Sequence, residues 1–437
     1  MYNINMLRKI LLLFVVLTNS MISVAGANEN IVAPLYNDSV TQNALTKISL
    51  PQNLSAKVKM LYSSAQTERK QGNIKEAIKL YRKVLDEQPD FVKARFELAL
   101  CYMEDKQWYR ADYYLRLALG AEYLPGDVRQ LMEQYRYLVR QNKNSDFWFE
   151  FGDVPDMRAS LSNNNSGCFG NEKTGVCENL KESKDEAVAN IATGADYEFV
   201  LSDNWRWKND AMLYTNIYDK KSYNDLFLAG STGPRYVWDR GDVWFAGVVG
   251  RSWYGNEKLA WAYGAKVDAN YDWTRRFSSG LILLVANNVY DKYDDMLDGQ
   301  TYTAIQHFTY AIDSTKYILL RGELERENTK FDPYSNYKYG FAFGFGIEMP
   351  NGILVYLEPY FSWINYDGAV DVIKNNVPMN IKEKYFLQKY TLSVSDVKIE
   401  YKGFIPVVNI TYTKKDSNIP MPSYDRWSFG LNIKRKF

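Results

Sequence analysis

From Phe147 to the C-terminus the chain runs on a period of two. Tyr337, Tyr339, Phe341, Phe343, Phe345 and Ile347 alternate with Lys338, Gly340, Ala342, Gly344, Gly346 and Glu348. Trp261, Tyr263, Val267 and Tyr271 alternate with Lys266, Asp268, Asn270 and Asp272, and Tyr197 and Phe199 with Asp196 and Glu198. The last segment sets Trp427, Phe429, Leu431, Ile433 and Phe437 against Ser428, Gly430, Asn432, Lys434 and Lys436, with Arg435 the exception on the apolar side. Successive side chains of a strand point to opposite faces, so each segment has one greasy and one wet face. Runs of twelve residues or more are long for a sandwich strand. Apolar outside and polar inside is the pattern of a transmembrane barrel.

The connections carry the same reading. Candidate tight turns at Ser202-Asp203-Asn204, Asp239-Arg240-Gly241, Thr274-Arg275, Asp313-Ser314, Pro350-Asn351-Gly352 and Ser395-Asp396 alternate with longer polar loops near 161–187, 218–224, 254–258, 291–300, 327–336, 365–382 and 413–424. Six turns and seven loops separate fourteen strands, an even number as bacterial single-chain barrels require. Two stretches fit poorly: 277–288 is apolar on both parities, and 397–412 switches parity near Gly403–Pro406, as a bulge would. Trp427 and Phe429 with the terminal Phe437 mark the closing strand, which is expected to pair with the strand at 147–160 and to be read by the barrel-assembly machinery.

The N-terminal third is built differently. Residues 1–27 read as a signal peptide: Arg8-Lys9, a short apolar run from Ile10 to Leu17, and the cleavage site Ala25-Gly26-Ala27. No cysteine lies near that site, which excludes a lipid anchor by this route. Residues 28–54, with Pro34 and Pro51, read as a linker. Within 55–145 the pattern is helical and repeats: Ala77, Tyr81 and Val84 recur 34 positions on as Ala111, Leu115 and Ala118, and Pro89 closes the first unit. Small alanines that let helices approach, each followed one turn on by a large residue, at this period, resemble tetratricopeptide repeats. Gly72 ends the first helix, and Asp127 caps a further helix to about Arg140 that covers the open end of the stack. Such a stack serves as a groove for a partner or as a rigid spacer. The expected fold is an α + β membrane protein: a periplasmic tetratricopeptide-repeat helical domain, then a 14-stranded antiparallel transmembrane β-barrel over 146–437.

Chemistry is sparse. Net charge is +1, which argues for no nucleic acid or other strongly charged partner. No nucleotide-binding fingerprint opens a strand-to-helix turn, and no catalytic constellation, metal set or cofactor motif is found. The sole histidine, His307, has the parity opposite to Tyr302, Phe308 and Tyr310 and so faces the lumen. Cys168 and Cys177 share a polar loop, where an exported protein forms a disulfide or, with fewer ligands than usual, a metal site. Cys101 falls in a helical pattern and reads as a small buried apolar residue. Lumen-facing parity goes to Asp196, Glu198, Lys266, Asp268, Asp272, Arg321, Glu323, Lys398, Glu400 and Lys402. They form either a hydrated, salt-bridged interior or a wet surface along which a chain slides. Trp205, Trp207, Trp253, Trp273, Trp363 and Trp427 fall near strand ends, as interfacial anchors do.

A signal peptide, a short repeat domain and a C-terminal barrel together resemble the surface lipoprotein assembly modulators, or Slam family, of type XI secretion. The stretch Phe147 to Ser160 is similar to that family's first strand, and Gly250-Arg251-Ser252-Trp253-Tyr254-Gly255 to one of its strand ends. The resemblance implies an outer-membrane translocon that moves a surface lipoprotein or a soluble haem- or metal-acquisition protein. It also implies that the repeats engage cargo or a periplasmic chaperone. A polysaccharide-export porin, which carries a longer repeat array, and a ligand-binding or adhesive barrel are the competing readings.

Overall fold

The computed structural model describes residues 39–142, 145–153 and 189–434, apart from positions 52, 122–123, 219–220, 222–223, 256, 275, 293, 314, 350–352, 375–376, 397–398, 400–403 and 419–423. Helix α1 (Ser39–Lys47) belongs to a first compact unit and everything from Ile48 onward to a second. The stretch expected to be a linker therefore contains a helix, whose buried Ala44 and Leu45 give it an apolar side too short to stand out between the two prolines.

Five helices open the second unit: α2 (Ala56–Lys70), α3 (Ile74–Glu87), α4 (Val92–Glu104), α5 (Trp108–Leu119) and α6 (Gly126–Asn142). Ser55 caps α2 through its side chain, accepting from the Val58 amide, and Gly72 turns the chain at φ +81°. The repeat residues lie where the 34-residue period puts them. Ala65, Ala77, Tyr81, Val84, Ala99, Ala111, Leu115 and Ala118 are fully buried. Pro89 sits in the α3–α4 connection, and its carbonyl receives Arg95. Cys101 is buried, and burial pushes its thiol well above the ordinary range. Helix α6 begins at Gly126, so Asp127 lies in its first turn rather than at its cap, where its charge still suits the helix dipole.

Fourteen strands then form a closed barrel in which each is antiparallel to the next. They are β1 (Ser145–Asp153), β2 (Ala189–Val200), β3 (Trp205–Ile217), β4 (Asp225–Trp238), β5 (Gly241–Tyr254), β6 (Glu257–Asp272), β7 (Phe277–Tyr290), β8 (Gly299–Ala311), β9 (Lys316–Thr329), β10 (Asn336–Glu348), β11 (Ile353–Lys374), β12 (Val377–Asp396), β13 (Ile405–Ser417) and β14 (Tyr424–Lys434). β1 closes on β14, Trp148 opposite Lys434 through Gly152 opposite Gly430. Trp261, Leu324, Phe341, Trp427 and Phe429 are 48–62% exposed and make up the outer face. Two arcs of aromatic residues edge it. Trp205, Tyr236, Trp238, Tyr271 and Trp273 touch in sequence at the end nearer the helices, and Tyr339, Trp363, Phe386, Tyr390, Tyr412 and Trp427 lie toward the other rim.

Three expectations about connections are corrected. The segment 365–382 is not a loop: β11 and β12 run on as a hairpin, with Val370 opposite Ile381 and Lys374 opposite Val377. Its polar and charged residues masked continuing strand propensity in Val370, Val372, Ile373, Val377 and Ile381. The 254–258 loop is a tight turn with Gly255 at φ +59°. The strand expected from 397 begins only at Ile405, so the β12–β13 connection is long and short and long connections do not strictly alternate. Lys398, Glu400 and Lys402 precede that strand and lie outside the described residues, as do Cys168, Cys177, Phe437 and the signal segment.

Candidate functional site

The inner wall of the barrel is a band of paired charges. Glu198 and Asp196 on β2 have the parity opposite to the exposed Phe199. One Arg235 nitrogen donates to both Glu198 oxygens at 2.6 and 2.8 Å, while another reaches Asp242 at 3.1 Å. Lys266 pairs with Asp210 at 3.1 Å and lies 4.1 Å from the Trp244 ring, over which Lys208 also sits at 4.6 Å. Asn270 donates to Asp268 at 3.2 Å. Arg321 pairs with Glu358 at 2.8 Å, and Lys338 and the Tyr360 hydroxyl hold Glu323 at 2.5 and 3.0 Å. His307 faces the same side, opposite Arg321 in the strand register. For the buried pairs, such as Arg235 with Glu198, desolvation offsets much of the attraction, so they keep the wall polar more than they add stability.

Glycines on β10 make room for the wall's aromatic residues. A Cβ at Gly344 would collide with the Tyr356 hydroxyl, and one at Gly346 with the Tyr317 ring. The tyrosines therefore lie flat against the strand rather than projecting across the lumen. Barrels of eight strands are filled by side chains and those of sixteen leave a channel. Strands spaced ~4.8 Å apart and tilted ~40° give fourteen of them a backbone diameter of about 28 Å.

One mouth of this lumen meets the helices. Helix α4 is buried over nearly its whole length, charged residues included. Glu97, 1% exposed, accepts from the Tyr62 hydroxyl at 2.7 Å, the Gln66 amide at 3.0 Å and the Tyr81 hydroxyl. Burial, then the Glu97 charge, push both tyrosine hydroxyls far above the phenol range, so they stay protonated and donate. This carboxylate ties α2, α3 and α4 together. Arg95, fully buried, donates two nitrogens to the Pro89 carbonyl and a third to Glu348 at the end of β10, 3.2 Å away. The Tyr113 hydroxyl reaches the same Glu348 oxygen at 3.3 Å. Arg136 of α6 spans Asp112 of α5 at 2.9 Å and Asp272 at the end of β6 at 2.8 Å. Gly120 backs onto the β8–β9 turn so closely that a Cβ would sit 3.2 Å from the Asp313 carbonyl. Helix α6 also packs on β4.

Asp272, one of the residues expected to face the lumen, pairs with Arg136, which strand parity has no means of naming. Sequence parity missed Arg95, Arg136, Arg235, Asp242, Glu348 and Glu358 as members of this site. Glu348 was in plain view as the last small-or-charged position of the β10 alternation.

Comparison with known proteins bears on this arrangement. The sequence model of the surface lipoprotein assembly modifier matches residues 159–437, and that of the family's N-terminal TPR repeats matches residues 30–114. The chain belongs to the surface lipoprotein assembly modifier family. It is 23% identical over 399 residues to the surface lipoprotein assembly modifier of Pasteurella multocida, covering 86% of this chain and 76% of that protein. To surface lipoprotein assembly modifier 1 of Neisseria meningitidis serogroup B it is 27% identical over 243 residues, 54% of this chain and 48% of that protein. Among solved structures, the outer membrane channel DcaP of Acinetobacter baumannii matches at 10% identity and a TM-score of 0.36, covering 67% of this chain and 95% of that one. Family membership, with a closed barrel carrying an apolar belt between aromatic arcs, locates the chain in the bacterial outer membrane.

Proposed function

We propose that this protein carries a lipoprotein across the outer membrane through the barrel, entering at the helical mouth and leaving at the opposite rim. Within the surface lipoprotein assembly modifier family, cargo that reaches the cell surface is the coarse expectation. The finer reading is a translocon whose cargo is a lipoprotein or a soluble haem- or metal-acquisition protein. One observation supports it above the others: a lumen walled by balanced ion pairs opens, at one end, directly beneath a docked repeat domain. Paired charges of both signs wet a passing chain without trapping it. On this reading the repeat domain lies in the periplasm and meets cargo or its chaperone first. No nucleotide is available there, so folding or binding outside the cell draws the cargo through.

The test is surface display. In a Gram-negative host, co-expression should raise the protease-accessible fraction of a tagged lipoprotein on intact cells at least tenfold. Deleting residues 56–142 should abolish most of that gain while the barrel remains heat-modifiable on gels. Polymer export or solute uptake with no displayed lipoprotein would refute the translocon.

A further inference from the structure

We propose that helices α4–α6 form a displaceable lid across the helical mouth, held shut by two arginine–carboxylate latches. The helices touch the barrel at several places around its rim. Their described contacts fall on β4, on Asp272 of β6, on the Asp313 turn between β8 and β9, and on Glu348 of β10. β4 and β10 are six strands apart in a ring of fourteen. On a circle about 28 Å across, that separation is a chord of about 27 Å, almost a full diameter. The helices therefore cover the half of the rim from β4 to β10, whose two ends lie almost a full diameter apart.

Glu348 shares parity with the buried Ala342 and opposes that of the exposed Tyr337, Phe341 and Phe343, and Asp272 shares parity with Lys266 and Asp268. Both carboxylates belong to the inner face. Arg95 and Arg136 therefore reach into the lumen's end, not onto the outer surface of the barrel.

Among the described residues the joint includes two ion pairs, a tyrosine hydroxyl and a glycine against a carbonyl. A buried ion pair fixes geometry more than it adds stability, because its desolvation offsets its attraction. Each arginine also has a second partner on the helices: Pro89 for Arg95 and Asp112 for Arg136. When the lid lifts, neither guanidinium is left wholly unpaired, and Glu348 and Asp272 return to a hydrated lumen. The joint is built to open and re-form.

The lid deepens the translocon reading and rests on it for what passes, but its own test needs only potassium chloride. In planar bilayers the full-length wild-type protein should be closed most of the time. D272N/E348Q, which keeps the hydrogen-bonding shapes and removes both charges, should raise the open fraction at least tenfold. Added to D272N/E348Q, the pair G120C/D313C should close the pore when oxidised and let it open again on reduction, with D313C alone as the control for the lost turn. Heat-modifiable migration on gels verifies that each variant has a folded barrel. An open fraction in D272N/E348Q equal to wild type, or free conductance through the oxidised double-cysteine protein, would overturn the lid. Latch-dependent conductance without any displayed lipoprotein would leave the lid standing and remove the translocon.

Discussion

Val249→Arg should cost the barrel about 2–4 kcal/mol, because it puts a cation at mid-strand on the lipid face. Val249 is 51% exposed and sits opposite Tyr263, itself 51% exposed, on the same outer surface. Its neighbour Val248 has the other parity, opposite Gly264 and Ser231. Val248→Arg should cost less than about 1 kcal/mol, since its charge enters water among the lumen's ion pairs. Denaturant unfolding of both variants from lipid vesicles reads the difference. Equal penalties would mean that the two faces do not meet lipid and water as assigned here.

The second large effect is expected in the helical domain. Glu97→Ala removes the one acceptor shared by Tyr62, Gln66 and Tyr81. It strands two buried hydroxyls at roughly 1–3 kcal/mol each, so the helical domain should lose about 2–6 kcal/mol. Because an apolar replacement of a whole polar cluster can be near neutral, E97L/Y62F/Y81F should recover most of that loss. Pulse proteolysis of the full-length protein measures it. If the triple variant is no more stable than Glu97→Ala, the cluster is not held by these hydrogen bonds.

Much of the barrel was legible because its two solvents write on alternate residues. The alternation in Tyr337–Glu348 and Trp261–Asp272 survives as β10 and β6 with the expected faces. The repeat domain was legible for a similar reason: Ala77, Tyr81, Ala111 and Leu115 need fixed spacing to pack. What failed was information that spans elements. Arg95 and Glu97 in α4 carry no sequence pattern that singles them out, yet one is held by the barrel and the other by two neighbouring helices. Nothing local distinguishes a charge facing water from a charge facing a distant carboxylate. The β11–β12 hairpin failed for the opposite reason. Its charged residues imitate a loop, while pairing between the two strands, not composition, extends it.

The central claim is that cargo passes through the lumen. His307 and Phe308 are adjacent on β8, with Phe308 on the exposed outer face and His307 on the inner one. A photo-crosslinking phenylalanine analogue placed at either position, in cells displaying a tagged lipoprotein, compares the two sides of one wall. Cargo crosslinked from position 307 and not from 308 is the predicted result. Crosslinks from 308 alone, or from neither while display continues, would contradict it.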